Sequence, residues 1–192
     1  MNEIELIEKA SAYFDTESPE GRTLRLDMIM PGLMQKPGNV IEIGAGEGMT
    51  TKVLLKHTKE VGNRVVVIDP WESTVPGYGD YSYDKFIANV KGYVNLDILV
   101  RPSQHESVSK FLEGKGPFRF AFVDGIQLQH AVLSDLFLCS AFNVDVICVD
   151  DYNRNTEYSQ VPAAVEKFLQ GSNKYKLVQT KPLIECYLTK SY

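Results

Sequence analysis

Val40-Ile41-Glu42-Ile43-Gly44-Ala45-Gly46-Glu47-Gly48-Met49-Thr50-Thr51 is the stretch on which the fold turns. A short β-branched run gives way to glycines at alternate positions, and these to residues with helical spacing. Glycine at such a junction lets the backbone turn tightly and lets a ligand approach without meeting a Cβ. Two readings follow: a plain strand-to-helix turn, or a turn that cradles a ligand.

Asp69 favours the second. It closes the next apolar run, Arg64-Val65-Val66-Val67-Ile68-Asp69, about 20 residues beyond the glycines, where a carboxylate can accept both hydroxyls of an adenosine ribose. A dinucleotide fingerprint would place its third glycine where this chain has Met49, and Glu42 would repel a pyrophosphate. Both departures favour S-adenosylmethionine, a cation, over NAD.

Outward from this core the pattern alternates. Residues 2–14 and about 20–35 read as two amphipathic helices, with Ser18-Pro19 a suitable start for the second. Pro37-Gly38 then changes the character of the chain, dividing an N-terminal helical segment (1–36) from a main domain (37–192). In that domain, strands at 40–44, 64–69, 97–100, 118–124 and 144–150 alternate with helices running through Leu55 and over 83–90, 106–112, 128–142 and 162–169. Strands at about 174–180 and 183–189 close it. The spacing predicts an α/β, Rossmann-like, doubly wound and mostly parallel seven-stranded sheet with an antiparallel C-terminal hairpin. Ligands of such sheets sit beyond the carboxyl ends of the strands.

The 192 residues suit one domain, and 44% hydrophobic with 23% charged residues is an ordinary globular balance. A net charge of −5 argues against nucleic acid as a partner. No apolar run reaches the ~18 residues of a membrane span, and the acidic, alternating start is no secretory signal. Cys139, Cys148 and Cys186 form no Cys-x-x-Cys pair; they read as reduced core residues, so a cytoplasmic location is expected and a zinc site is not. A homo-oligomer is left open, the leading helices serving as lid, dimer contact or sheet cover.

Three phrases carry a family resemblance: Glu42-Ile-Gly-Ala-Gly-Glu-Gly-Met-Thr-Thr, Val67-Ile-Asp-Pro-Trp71, and Phe122-Val-Asp-Gly125 with Val149-Asp-Asp-Tyr152. In that order, at strand ends, they resemble the class I S-adenosylmethionine-dependent methyltransferases, within them the macrocin O-methyltransferase and cephalosporin-hydroxylase-like group, over about residues 38–190. The resemblance implies that Glu42, Gly44 and Gly46 line the methionine moiety of the cofactor, that Asp69 holds its ribose, and that Ser103 flanks its adenine. From the residues alone Ser103 reads more readily as a helix N-cap. Trp71, Tyr78, Tyr81 and Tyr83 belong to a loop expected to overhang the site, where they either stack on a ligand, adenine in the case of Trp71, or pack the loop onto the body.

Asp124 ends one strand and Asp150-Asp151 the next. Neighbouring strand residues face opposite sides, so both aspartates reach one site only if the chain turns there; the alternative is a solvated Asx turn. The resemblance implies that Asp124, Asp150 and Asp151 are metal ligands, and an all-oxygen set suits Mg²⁺. Relatives usually carry a histidine base after Val-Asp-Gly, where this chain has Gln127. His130 lies three residues on, on the same helix face, and either substitutes as the catalytic base or is a surface residue; Asp124 is the other catalytic candidate. His57 and His105 are expected to have no catalytic part. The reading is a Mg²⁺-assisted O-methyltransferase for a small hydroxylated, sugar-like substrate. The alternatives are a protein that binds S-adenosylmethionine with weak or lost catalysis and, less well matched, an NAD-dependent oxidoreductase.

Overall fold

Strands β1 (Asn39–Ile43), β2 (Val65–Ile68), β3 (Leu96–Leu99), β4 (Phe118–Val123) and β5 (Val146–Val149) lie parallel, and β7 (Cys186–Lys190) runs antiparallel to both β5 and β6 (Tyr175–Val178). The sheet order is β3-β2-β1-β4-β5-β7-β6. The structure is a computed structural model and describes residues 1–13, 18–71, 81–153, 160–178 and 184–191. The antiparallel closing pair is as the sequence predicts, with β7 inserted between β5 and β6.

The inner strands β2 and β5 are wholly apolar and buried because both faces of the sheet are covered there. On one face Ile41, Ile43, Val66, Ile68, Ala121, Val123, Ile147 and Val149 meet α5 (Ser107–Leu112), α6 (Gln129–Ala141) and α7 (Val161–Gly171). On the other, Val40, Val65, Val67, Phe120, Phe122, Val146 and Cys148 meet α1 (Glu3–Tyr13), α2 (Pro19–Leu33), α3 (Met49–Glu60) and α4 (Tyr83–Asn89). Each valine, isoleucine or phenylalanine among them contributes about 1.5–3 kcal/mol by leaving water. The pleat alone decides which face each residue joins.

The N-terminal helices pack directly on this second face, through Leu6, Ile7 and Ala10 of α1 and Leu26, Ile29 and Met30 of α2. Ser18 caps α2 by accepting from the Gly21 amide at 3.0 Å. Arg25, fully buried, then fixes the helix against the start of β7. Its Nε and Nη2 donate to Oε1 and Oε2 of the equally buried Glu185, at 2.5 and 2.8 Å.

After β1 the chain winds outward to β2 and β3, then crosses to β4 on the other side of β1. That reversal opens a crevice at the carboxyl ends of β1 and β4. Its floor is tight: the Asp124 amide donates to the Ile43 carbonyl at 2.8 Å. Gly44 holds φ +83°, and a Cβ there would lie 2.1 Å from the Asp124 carbonyl oxygen.

Candidate active site

A cavity of about 470 Å³ occupies this crevice. Its wall runs from Gly44, Gly46 and Thr50 past Asp69 and Trp71 to Ser103 and Gln104, and returns by Asp124 and Arg22. One continuous space therefore joins the glycine turn to Asp124 at the end of β4.

Asp69 ties the turn together. Its Oδ2 accepts from the amides of Ala45 (2.7 Å) and Gly46 (3.0 Å), and Oδ1 from the amide of Trp71 (2.6 Å). The carboxylate thus joins the ends of β1 and β2 as well as facing the cavity. Oδ2 already has two donors, so Oδ1 is the oxygen with acceptor capacity left for a ligand hydroxyl. The Trp71 indole N–H donates to the Gly46 carbonyl at 2.7 Å, and its ring meets Tyr83 and Phe86 with centroids 4.9 and 4.7 Å apart. Trp71 both lines the cavity and packs its ring against α4. Tyr81 also lines the wall, whereas Tyr78 lies outside the described residues.

Ser103 is on the wall and does not cap α5, whose N-cap is Glu106. Behind it sits a residue that the sequence reading assigned no part, Asp135 of α6, almost fully buried. The Gln104 Nε2 donates to Ser103 Oγ at 2.7 Å and to Asp135 Oδ1 at 3.0 Å. Burial pushes the Asp135 carboxyl up to about 7, with its bonds to Ser103 and Gln104 pulling the other way.

Glu42 requires a correction. It shares the strand face of Val40, turned toward the N-terminal helices, and is fully buried behind the cavity wall. Among the described residues neither carboxylate oxygen has a hydrogen-bond partner. Burial pushes its pKa up to about 8, opposed by the adjacent Thr51 hydroxyl and raised further by Asp69. At neutral pH it is mostly a neutral acid, so it offers the cavity no full charge. A group whose pKa is higher folded than unfolded stabilises fully below the unfolded value and loses that contribution as pH rises through the folded one. Glu42→Gln is therefore expected to gain stability relative to wild type between pH 4.5 and about 8. Urea unfolding across that range checks this, and parallel pH profiles would contradict it.

Asp124, Asp150 and Asp151 do converge, one carboxylate oxygen from each lying within 4.8 Å of the others. The turn that the sequence reading required is present: β5 stops at Val149 and Asp151 takes the left-handed conformation, φ +57°. Three hard oxygen donors, one of them on a residue whose Oδ1 is buried without a hydrogen-bond partner (Asp150), fit Mg²⁺, Mn²⁺ or Ca²⁺ and not Zn²⁺. Burial and the Asp150 charge raise the Asp124 carboxyl well above the usual range, while Arg22 opposes this.

Arg22 is the other residue that the sequence reading missed. From the first turn of α2 its Nη1 reaches Asp124 Oδ2 at 3.3 Å and pairs more closely with Asp150 Oδ2. The guanidinium lies over the Phe122 ring, 5.3 Å from the centroid. Nothing in the sequence links it to aspartates 102 and 128 positions away.

His130 is corrected as well: it is exposed on α6 and does not line the cavity. His57 is buried against Asp27 at 2.8 Å and His105 bonds Ser107. Among the described residues no histidine lines the cavity.

The comparisons with known proteins meet this geometry. A family model described as a methyltransferase domain matches residues 41–152, from β1 to just beyond β5. The chain belongs to that methyltransferase family. No curated protein matches the sequence. Several solved structures share the fold. An apo TDP-rhamnose 3'-O-methyltransferase of calicheamicin biosynthesis, CalS11, has a TM-score of 0.65 at 15% identity, over 96% of this chain and 93% of that one. The O-methyltransferase TomG of Streptomyces achromogenes, in complex with SAM, has 0.61 at 16%, over 99% and 89%. A Bacillus cereus O-methyltransferase in complex with SAH has 0.61 at 17%, over 99% and 90%. The methyltransferase thus has the class I fold read from its sequence, and no helix among its described residues is long and apolar enough to cross a membrane.

Proposed function

We propose that this methyltransferase binds S-adenosylmethionine in the cavity and methylates a hydroxyl of a small, sugar-like molecule, with Mg²⁺ held by Asp124, Asp150 and Asp151. The observation that carries the reading is the continuity of the cavity from the glycine turn to Asp124. A nucleoside at one end would set its methyl group before the carboxylates at the other. Similarity to CalS11, whose name states a sugar substrate, supports the substrate class.

Transfer breaks the bond between sulfonium sulfur and methyl carbon, sulfur keeping the electron pair, as the substrate oxygen forms a bond to that carbon. The hydroxyl proton must leave, and Asp124, the one carboxylate of the proposed metal set that lines the cavity, is the side chain placed to take it. A bound divalent cation would lower the hydroxyl pKa and fix its direction. The walls supply the remainder by aligning oxygen, methyl and sulfur in one line.

The absence of a histidine from the described wall favours a second reading, cofactor binding with weak or lost transfer. Incubation with S-adenosylmethionine, Mg²⁺ and a panel of nucleotide sugars and glycosides, followed by mass spectrometry, separates the two. The first reading expects a singly methylated product that Asp124→Asn abolishes and His130→Ala leaves unchanged. Binding of S-adenosylhomocysteine with no methylated product from any acceptor favours the second.

A further inference from the structure

We infer that Arg22 and a divalent cation are alternative occupants of the Asp124–Asp150–Asp151 site, so that the protein carries its own competitor for the metal. The inference rests on the metal assignment proposed above. The three carboxylates crowd within 4.8 Å, an arrangement that needs positive charge among them. Arg22 supplies it, bonding both Asp124 and Asp150 through one nitrogen. It is the one basic side chain on the described wall.

The two occupants exclude each other by chemistry and by space. Asp150 Oδ2 and Asp124 Oδ2 already accept from Arg22. A cation coordinated at about 2.0–2.6 Å from either of these oxygens would lie against the guanidinium, two positive centres in contact. The side chain has somewhere to go. It lies on the first turn of α2, 16% exposed and beside the open cavity, and its Nε is buried without a hydrogen-bond partner among the described residues, so among those residues withdrawal surrenders the carboxylate pairs and the Phe122 contact. The backbone of α2 stays, because Arg25, one turn on, is locked to Glu185. Metal affinity is then the intrinsic affinity of three carboxylates reduced by the population in which Arg22 holds them.

Binding of Mn²⁺ to the full-length protein, followed by electron paramagnetic resonance and calorimetry, tests this without any turnover. Arg22→Gln is expected to bind Mn²⁺ about ten-fold tighter or more, within the usual span of such couplings. The metal-free variant, with its carboxylates uncompensated, is expected to melt below wild type and to gain more in Tm from Mn²⁺ than wild type does. Equal or weaker binding by the variant, or no Mn²⁺ binding by either protein, overturns the proposal. If Arg22→Gln does not fold, the wild-type Arg22 Nε–H resonance provides the second arm: it is expected to shift on titration with diamagnetic Mg²⁺, and an unmoved resonance at saturation overturns the proposal equally. Retained binding of S-adenosylhomocysteine in either case leaves the methyltransferase reading intact, so the two fail separately.

A different set of contacts carries a second inference: the geometry points to Asp135 as the positioning residue that makes the cavity select a 6-amino purine. Both N–H donors of the Gln104 amide are spent on the protein, one on Ser103 Oγ and one on Asp135 Oδ1. What this wall residue retains for a ligand is its carbonyl oxygen, an acceptor. An adenine 6-amino group can donate to it; the carbonyl that a 6-oxo purine presents at that position cannot. Asp135→Leu frees the amide to turn, so discrimination between S-adenosylhomocysteine and its deaminated inosyl analogue is expected to collapse toward unity, while Asp135→Asn, which keeps an acceptor, restores it. A merely structural role would weaken both ligands together and leave their ratio unmoved, and that result overturns the assignment. Wild-type binding of neither compound would instead count against the cofactor reading itself.

Discussion

Arg25→Met is expected to destabilise the protein by about 3–5 kcal/mol, because it leaves the Glu185 carboxylate buried without its cation. Both side chains have no solvent exposure, and their two parallel bonds measure 2.5 and 2.8 Å. Against a typical total of about 5–15 kcal/mol, the loss is a large fraction of the stability. The pair itself is not what the stability depends on. Replacing both members, Arg25→Met with Glu185→Leu, removes the unpaired charge and is expected to recover most of the loss. Urea unfolding of the two variants measures the difference. A double variant as unstable as the single would show that the pair acts through something other than mutual neutralisation.

The second large effect is at Gly44. An alanine Cβ would stand 2.1 Å from the Asp124 carbonyl oxygen and 2.5 Å from its carbon, at φ +83°. Two costs add: about 1–2 kcal/mol for the left-handed backbone and about 1–3 kcal/mol for forcing packed atoms apart. The ends of β1 and β4 must separate, which moves Asp124 and opens the cradle of the glycine turn. Gly44→Ala is therefore expected to lose binding of S-adenosylhomocysteine as well as stability. Gly62 provides the control, with φ +73° and nothing within 4 Å of its would-be Cβ. Gly62→Ala should bear the backbone cost alone and keep its affinity. Equal losses in the two variants would mean that the close approach of the strands has no functional weight.

How much of this was legible in the sequence follows from the range of each interaction. The strands and their order of appearance could be read because period-2 and period-3.6 patterns are local, and the turn after β5 because Asp150-Asp151-Tyr152-Asn153 is turn-prone on its face. Asp69, Ser103 and Asp124 all line the cavity, and they could be gathered from the sequence because strand ends of a parallel sheet share one edge. Glu42 was misplaced because a residue count along β1 does not say which face its pleat presents; the structure gives it to the helix-covered side, with Val40. His130 failed for a related reason, since helical spacing places it on a face without saying whether that face meets the cavity. Arg22, Arg25 and Asp135 were invisible. Each acts across a contact between distant segments, and a single arginine or aspartate in an amphipathic helix is indistinguishable from a solvated one until the helix is docked.

Calorimetric titration of the wild-type protein with S-adenosylhomocysteine tests the central claim most directly. Saturable binding at one site per chain, abolished in Gly44→Ala and retained in Gly62→Ala, is the result that a cofactor cradle at the carboxyl ends of β1 and β2 predicts. Heat no larger than dilution in the folded wild-type protein would contradict it.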